Sequence, residues 1–524
     1  MQIDVSGDSI AGETPSSDKS APNIGNNPTH AAILPNLSKV FVASAGSVVP
    51  GGVDVVSSFS PAFQSTTSNG LGAVTTISLP SQTASISAIS ESANVVTVTP
   101  NAALTNVVVG DVIVIAGVGV SGYNGTFTLT SVSPVQYVNT VTGLASSSGG
   151  TASVPPQPVF VTSTQSGAVY VANYNSNSVS AINTTLNVVS NGAPVGLNPV
   201  ALAETPNGLK IYVANQGGNS VSSLNTADLS PNVVTGFTGT TPVWVVARAD
   251  SQKVYVLTQG DGQLVTIDTA TDTVTSSLPV GAGANFVFYD PHLNRLYVTN
   301  PNVVSASNPL GSAVYVFSDT GGANDTPLLL KAISLNPLSS ACPSGCLPTS
   351  VTALPDGSRF YVASYQLATA PCPDTTITGS CVIPGVAVFD ANSFALKTTM
   401  TLLTNPPFAV SSTGQYQFAV PPVSSCGPAP SVPPPAPALY APASTRFRIF
   451  TTAAADSSHV YVSMCDAGAI AVINTTNDNA NGSGGTGNPS DSVVTDLPAA
   501  FSAGAIQSNG EPPNQNPIFL LTGQ

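Results

Sequence analysis

The chain has 524 residues, only 7% of them charged, and 11 Lys+Arg set against 25 Asp+Glu leave a net charge of −14. So few basic residues exclude the phosphate-binding surface that nucleic acids need, and they offer an anionic membrane surface nothing to attract. A hydrophobic content of 42% excludes a disordered chain, and no apolar run reaches the 18 residues of a transmembrane helix.

Residues 1–28, rich in Ser, Asp, Asn, Pro and Gly, read as a flexible N-terminal leader. An arm that orders on docking against a neighbouring subunit is the alternative. The segment lacks the basic and apolar regions of a signal peptide, so the chain is either not exported or met here with its signal removed.

Residues 29–80 open with the strand VFVAS (40–44) and end on an outer strand, VTTISLP (74–80). A different texture follows over 81–155. The runs VVTVTP, GDVIVIAGV, GTFTLTSV and QYVNTV, parted by Gly/Asn turns, predict a small inserted β module of sandwich or barrel type. Its wording loosely resembles small β modules of phage-tail and bacterial surface proteins.

From 156 onward one theme recurs: VYVAN (169–173), IYVAN (211–215), VYVLT (254–258), LYVTN (296–300), FYVAS (360–364) and VYVSM (460–464). Tyr170, Tyr212, Tyr255 and Tyr297 are spaced 42, 43 and 42 apart, the period of a four-stranded propeller blade. Within one repeat, PVWVVAR, KVYVLT, QLVTID and VTSSLPV are short strands joined by turns rich in Asp, Gly and Thr. The expected fold is all-β, a seven-bladed propeller with an inserted module. An eighth blade is the alternative, because FAVSSTGQYQFAV (408–420) resembles a first-and-second-strand pair and Phe418 lies 43 residues before Tyr461. Prolines at 421–445 suit an insertion rather than central strands, and NPIFLLTGQ (516–524) is expected to close the ring as a last strand.

The Y-V-[AT]-N strand, the turns Pro206-Asn207-Gly208 and Pro355-Asp356-Gly357, and the trailing Ile182-Asn183-Thr184, Ile267-Asp268-Thr269 and Ile473-Asn474-Thr475 resemble YVTN-family β-propeller repeats over roughly 29–80 and 157–500. That resemblance implies a propeller of extracellular or surface-layer-like proteins. Such repeats are also similar to seven-bladed lactonases, which would place metal or acid–base residues around a central channel.

Residues suited to that chemistry are sparse. His30 precedes the first strand, His292 lies in a DPHLN turn and His459 begins a second strand, all expected as structural turn or strand-end residues. No H-E-x-x-H, G-x-S-x-G or P-loop occurs. Asp268, Asp390 and Asp319 end third strands where Asn183, Asn225 and Asn474 stand in other repeats, which predicts side-chain-to-backbone turn bonds, with calcium ligation the lesser alternative. Trp244, the only tryptophan, is expected in the core.

Cys342, Cys346, Cys372, Cys381, Cys426 and Cys465 lie in Pro/Gly/Ser-rich loops, and their even number reads as three disulfides of an oxidising compartment. Spacing suggests 342–346, 372–381 and 426–465, and a zinc site from the first four is the competing reading. Taken together, these features predict no resident cofactor, an extracellular or cell-surface location, and a non-enzymatic role in self-association or protein interaction. A lactonase-like hydrolase and a ligand- or peptide-binding propeller using the channel mouth are the alternatives.

Overall fold

A computed structural model describes residues 2–4, 9–12, 28–48, 53–60, 74–163, 167–302, 304–336, 338, 345–368, 380–402, 409–410, 416–420, 448–465, 469–476, 490–498 and 520. These residues form no α-helix. Seven antiparallel sheets, labelled I to VII in chain order, account for most of them. Sheet I contains Pro28–Ile33, Val40–Ala45, Asp54–Phe59 and Thr75–Ser78, and sheet II contains Pro158–Ser163, Ala168–Asn173, Ser178–Asn183 and Val188–Pro194. Sheet III comprises Pro199–Glu204, Lys210–Asn215, Ser220–Asn225 and Pro231–Asn232. Pro242–Ala247, Lys253–Thr258, Gln263–Asp268 and Thr273–Pro279 make sheet IV, and Phe286–Asp290, Arg295–Asn300, Ala313–Ser318 and Leu328–Ser334 make sheet V. Sheet VI has Leu347–Ala353, Arg359–Ala368, Ser380–Asp390 and Leu396–Thr401. Sheet VII has Ile449–Ala453, His459–Met464, Ala469–Asn474 and Ser492–Pro498.

The repeated motif is the second strand of each sheet, and its burial explains its composition. In Lys253–Thr258 every residue is buried, and in Lys210–Asn215 all but the first. A strand covered on both faces reads as a near-continuous apolar run rather than an alternation. The fourth strand lies at the rim and is half-exposed along Thr273–Pro279, so it is written in Ser and Thr. The motif asparagine closes the second strand onto the third. Asn173 Nδ2 donates to Ser178 and Ser180 Oγ at 3.2 and 2.9 Å, and Asn215 Nδ2 donates to Ser220 and Ser222 Oγ at 3.3 and 3.0 Å.

First strands of consecutive sheets touch one another from I through VII. Contacts that skip a sheet show that the series curves around a common line. Phe160 of sheet II meets Trp244 of sheet IV at 5.4 Å between ring centroids, and Phe286 of sheet V meets Phe450 of sheet VII at 5.7 Å. Flat stacking would hold such residues two sheet spacings apart, roughly 20 Å. The architecture is propeller-like.

Between sheets I and II, residues 82–154 form a closed barrel of Gln82–Ser92, Val95–Pro100, Val112–Ala116, Gly125–Val132, Val135–Val138 and Thr151–Val154. Here burial alternates along the strands, with Ile86, Ile89, Val96, Val98, Ile113, Ile115, Leu129 and Tyr137 inside. A barrel has one covered face, so period two returns. Reciprocal amide bonds seat it on sheet II: Asn106 Nδ2 donates to the Asn177 carbonyl at 2.6 Å and Asn177 Nδ2 to the Asn106 carbonyl at 2.8 Å. Asn175 Oδ1 accepts from the Val112 N–H, and its Nδ2 donates to the Val112 carbonyl.

Two local expectations change. His30 lies inside the first strand of sheet I rather than before it. The 408–420 stretch adds to sheet VI: Tyr416–Val420 pairs with the extended third strand (Cys381 opposite Ala419), and Ala409–Val410 pairs with it in turn. Gln2–Asp4 and Ser9–Gly12 pair as a hairpin. The rest of the leader, the Pro-rich 421–445 insertion and the 516–524 strand lie outside the described residues, apart from Leu520, which packs against the cluster of Ala454, Tyr461, Ile470 and Val472.

Candidate functional site

The propeller centre is where propeller-borne chemistry would sit, and one register position decides what fills it. The residue of the first strand that pairs with the penultimate motif residue is His30, Phe160, Ala201, Trp244, Phe286, Ser350 or Phe450 in sheets I to VII. Five of the seven are rings. His30 stacks on Phe160 at 3.8 Å, Phe160 meets Trp244 edge-on, and Trp244 meets Phe286 at 5.0 Å. Ala201 and Ser350 stand between the pairs that skip a sheet, and their small side chains let the flanking rings meet. His30 Nδ1 accepts the Val161 N–H at 3.5 Å, and Ser350 Oγ accepts the Thr451 N–H at 3.0 Å. Each therefore supplies an acceptor to the open inner edge of the next sheet. Every member of this layer that carries a ring is buried. Along the line where the first strands converge, this layer makes ring-on-ring apolar contact.

A second recurrent arrangement ties each sheet to the next. A basic residue stands two positions before the motif aromatic: Lys39 before Phe41, Lys210 before Tyr212, Lys253 before Tyr255, Arg295 before Tyr297 and Arg359 before Tyr361. Lys210 Nζ lies 2.6 Å from Asp272, which also accepts the Tyr212 hydroxyl. Lys253 Nζ is 2.9 Å from both Asp319 oxygens, Tyr255 OH donates to the same carboxylate at 2.5 Å, and Arg248 approaches it at 3.1 Å. Arg359 and Tyr361 both reach Asp491 at 2.5 Å. Lys39 donates to Asn187 Oδ1 at 3.0 Å. Arg295 donates to the Ala391 carbonyl and lies over the Phe394 ring at 5.4 Å.

The acceptors are placed by backbone conformation. Asn187, Asp272 and Asp491 sit in the turn before the fourth strand of the next sheet with φ of 53°, 54° and 57°, where Asn and Asp are the side-chain-bearing residues best tolerated. The turn that needs a left-handed residue thus also supplies the oxygen. Where Leu229 or Phe394 occupies that position, the tie passes to a carbonyl, as when Tyr170 OH donates to Thr226 O at 3.2 Å. With Arg248, six of the eleven basic side chains serve these ties. Burial, followed by the adjacent carboxylate, pushes the Tyr212, Tyr255 and Tyr361 hydroxyls far above their ordinary range.

Asp268, Asp390, Asn183 and Asn474 make the expected turn bonds, as Asp268 Oδ1 does with the Ala270 N–H at 3.0 Å. Asp319 differs: Ser318, not Asp319, ends the third strand opposite Arg295, and the carboxylate one residue on turns into the ionic tie. His292 sits in the turn of sheet V, where its N–H donates to Asp290, and His459 lies beside Ser458 Oγ at 2.7 Å. The three histidines fall on three different sheets. At the seat of the barrel, burial pushes Asp111 up to about 7, although the Val108 N–H donates to it. Asp54, accepting from the Ser47 and Gln157 N–H groups, is also raised by burial. Groups of three or more metal-ligating side chains do not occur among the described residues. Cys346 and Cys465 are buried, no free cysteine occurs among the described residues, and Cys342, Cys372 and Cys426 lie outside them.

No protein-family model matches the chain. No curated protein matches it either. Among solved structures, it is similar to hydrazine synthase of Kuenenia stuttgartiensis (15% identity, TM-score 0.44, covering 61% of this chain and 77% of that one). It is also similar to a putative 6-phosphogluconolactonase of Bacteroides uniformis (11%, 0.39, 74% and 88%) and to Saccharomyces cerevisiae Sqt1 (9%, 0.43, 86% and 83%). At these distances the likenesses say nothing of activity, and the propeller-like architecture rests on the sheet geometry.

Proposed function

We propose that this protein is an exported β-propeller of YVTN type, its seven sheets closing into a seven-bladed ring, that acts without catalysis as a cell-surface or extracellular scaffold associating with copies of itself or with other proteins. The observation that carries this reading is the aromatic layer. The region where a propeller enzyme would gather polar reactive groups holds His30, Phe160, Trp244, Phe286 and Phe450 packed on one another, and the buried ionic groups tie sheet to sheet. Both devices favour rigidity. The low surface charge suits contact between like copies, since little charged surface must be desolvated.

Three disulfides, 342–346, 372–381 and 426–465, belong to this proposal and to an oxidising compartment. Peptide mapping without reduction is expected to recover those pairs; free thiols throughout would remove the export argument. The reading requires no resident cofactor, so a calcium titration is expected to leave the melting temperature unchanged. Negative-stain electron microscopy at two protein concentrations tests the main claim. Filaments, sheets or discrete oligomers are expected at the higher one. Ring-shaped monomers at both, together with lactone hydrolysis that survives repurification, would replace the proposal with the hydrolase reading.

A further inference from the structure

Sheet III breaks the pattern of the other sheets at its rim. In sheets II, IV, V and VII the fourth strand runs back to the first residue of the third, pairing Ser178 with Pro194, Gln263 with Pro279, Ala313 with Ser334 and Ala469 with Pro498. In sheet III the fourth strand is only Pro231–Asn232, and it pairs with Leu224 and Ser223 alone. The chain then leaves for the neighbouring sheet: Thr235 bridges in parallel to Thr273, its N–H donating to the Asp272 carbonyl at 2.9 Å. Ser220, Val221 and Ser222 pair with Asn215, Ala214 and Val213 on their inner side and, among the described residues, have no strand on their outer side. An open edge is a template for strand addition, and proteins ordinarily blunt it with lysine, proline or a bulge. Here the edge reads Ser-Val-Ser, and beside the departure point Val233 is 79% exposed.

The same chain carries a strand pair that joins no larger sheet among the described residues. Gln2–Asp4 and Ser9–Gly12 form a two-stranded sheet of their own, with Ile3 opposite Ile10, and no third strand among the described residues joins them. An isolated hairpin is marginal in water and gains from a third strand. Residues 13–27 link it to sheet I, and fifteen residues can reach roughly 50 Å when extended. Neither Ser9–Gly12 nor Ser220–Ser222 carries a charge. On a chain of net charge −14, docking through the uncharged Ser9–Gly12 strand rather than through Gln2–Asp4 lets two copies approach with the least repulsion.

We infer that the open edge of Ser220–Ser222 is a strand-addition site for the strand pair Gln2–Asp4 and Ser9–Gly12 of a second copy of this chain. The occupant is a second copy because the chain's own hairpin forms a separate sheet and does not lie along that edge. Since every copy carries both the donor and the open edge, the contact is head-to-tail and propagates unless the geometry closes it. This inference rests on the self-association proposed above and names its joint.

The test follows the weight-average mass of the full chain by sedimentation from about 1 to about 100 µM, because mass action makes association concentration-dependent. The wild-type mass is expected to rise above 52.4 kDa. Val233→Lys and Ile10→Lys are each expected to weaken association at least ~10-fold, since a lysine at a strand edge opposes strand addition. Position 233 is solvent-exposed, so its substitution leaves the core untouched. Association that neither lysine variant weakens would overturn this joint while leaving self-assembly standing. A monomer at every concentration would overturn both. Amide protection at 220–222 that vanishes on deleting residues 2–12 from a monomeric chain would overturn the second-copy assignment in favour of the chain's own hairpin.

Discussion

Replacing Asp319 by alanine probes the ties between sheets most directly. Its carboxylate is met by Lys253 at 2.9 Å, Tyr255 OH at 2.5 Å and Arg248 at 3.1 Å, with the Lys253 and Asp319 side chains 0% and 1% exposed. Alanine would leave the Lys253 ammonium buried with no anion, while the neighbouring Arg248 guanidinium keeps only Asp250. Breaking one member of such a pair costs about 3–5 kcal/mol, because the stranded charge keeps its desolvation penalty and loses its partner. Unfolding entropy of about 2.1 cal/mol/K per residue gives about 0.8 kcal/mol/K for a cooperative unit of roughly 400 residues. A loss of about 4 kcal/mol therefore lowers the melting temperature by about 5 °C. Scanning calorimetry would compare the wild type, Asp319→Ala, and Asp319→Leu combined with Lys253→Met. The double replacement is expected to regain part of the loss, since two apolar side chains leave only Arg248, which retains Asp250 at 2.7 Å. A shift for Asp319→Ala below about 1 °C, or a double variant no better than the single, would refute the assignment of this cluster as a structural tie.

Three further outcomes are expected. Trp244, as the sole tryptophan, should emit at short wavelength and resist acrylamide quenching, while Phe286→Ala should open the aromatic layer, cost about 3–5 kcal/mol and raise the quenching constant. Asp111 carries a folded-state value near 7, above its unfolded 3.8, so the folded form holds the proton more tightly. The stability that Asp111 contributes is then fully present below about 4 and is lost as pH rises through about 7; Asp111→Asn should flatten that part of the decline in melts at pH 5 and 7.5. Asn215→Ala should cost about 1 kcal/mol through its bonds to Ser220 and Ser222, measured by urea denaturation, with Ser222→Ala costing no more.

Much of this fold is legible in the sequence because a repeat states its geometry many times. The motif strand, its 42- to 43-residue spacing and the Ser/Thr-rich strand at the rim follow from local rules: a strand covered on both faces is apolar throughout, and one at the rim is not. The Asx turns at Asp268, Asp390, Asn183 and Asn474 are equally local, since each side chain bonds a backbone N–H two or three residues away. Tertiary structure alone decides what the repeats bring together. Asp319 reads as another turn residue until the neighbouring sheet sets Lys253, Tyr255 and Arg248 around it, 64 to 71 residues away in sequence. His30 and Phe160 are 130 residues apart and share one layer only because equal register in separate sheets converges on a common line. The shortened fourth strand of sheet III follows the same logic: nothing in Pro231–Asn232 announces an open edge, which exists because Thr235 finds its hydrogen bonds on the next sheet instead. Local propensity acts over a few residues and is written in composition; partners between sheets depend on how whole sheets pack, and that is fixed only once the chain has folded.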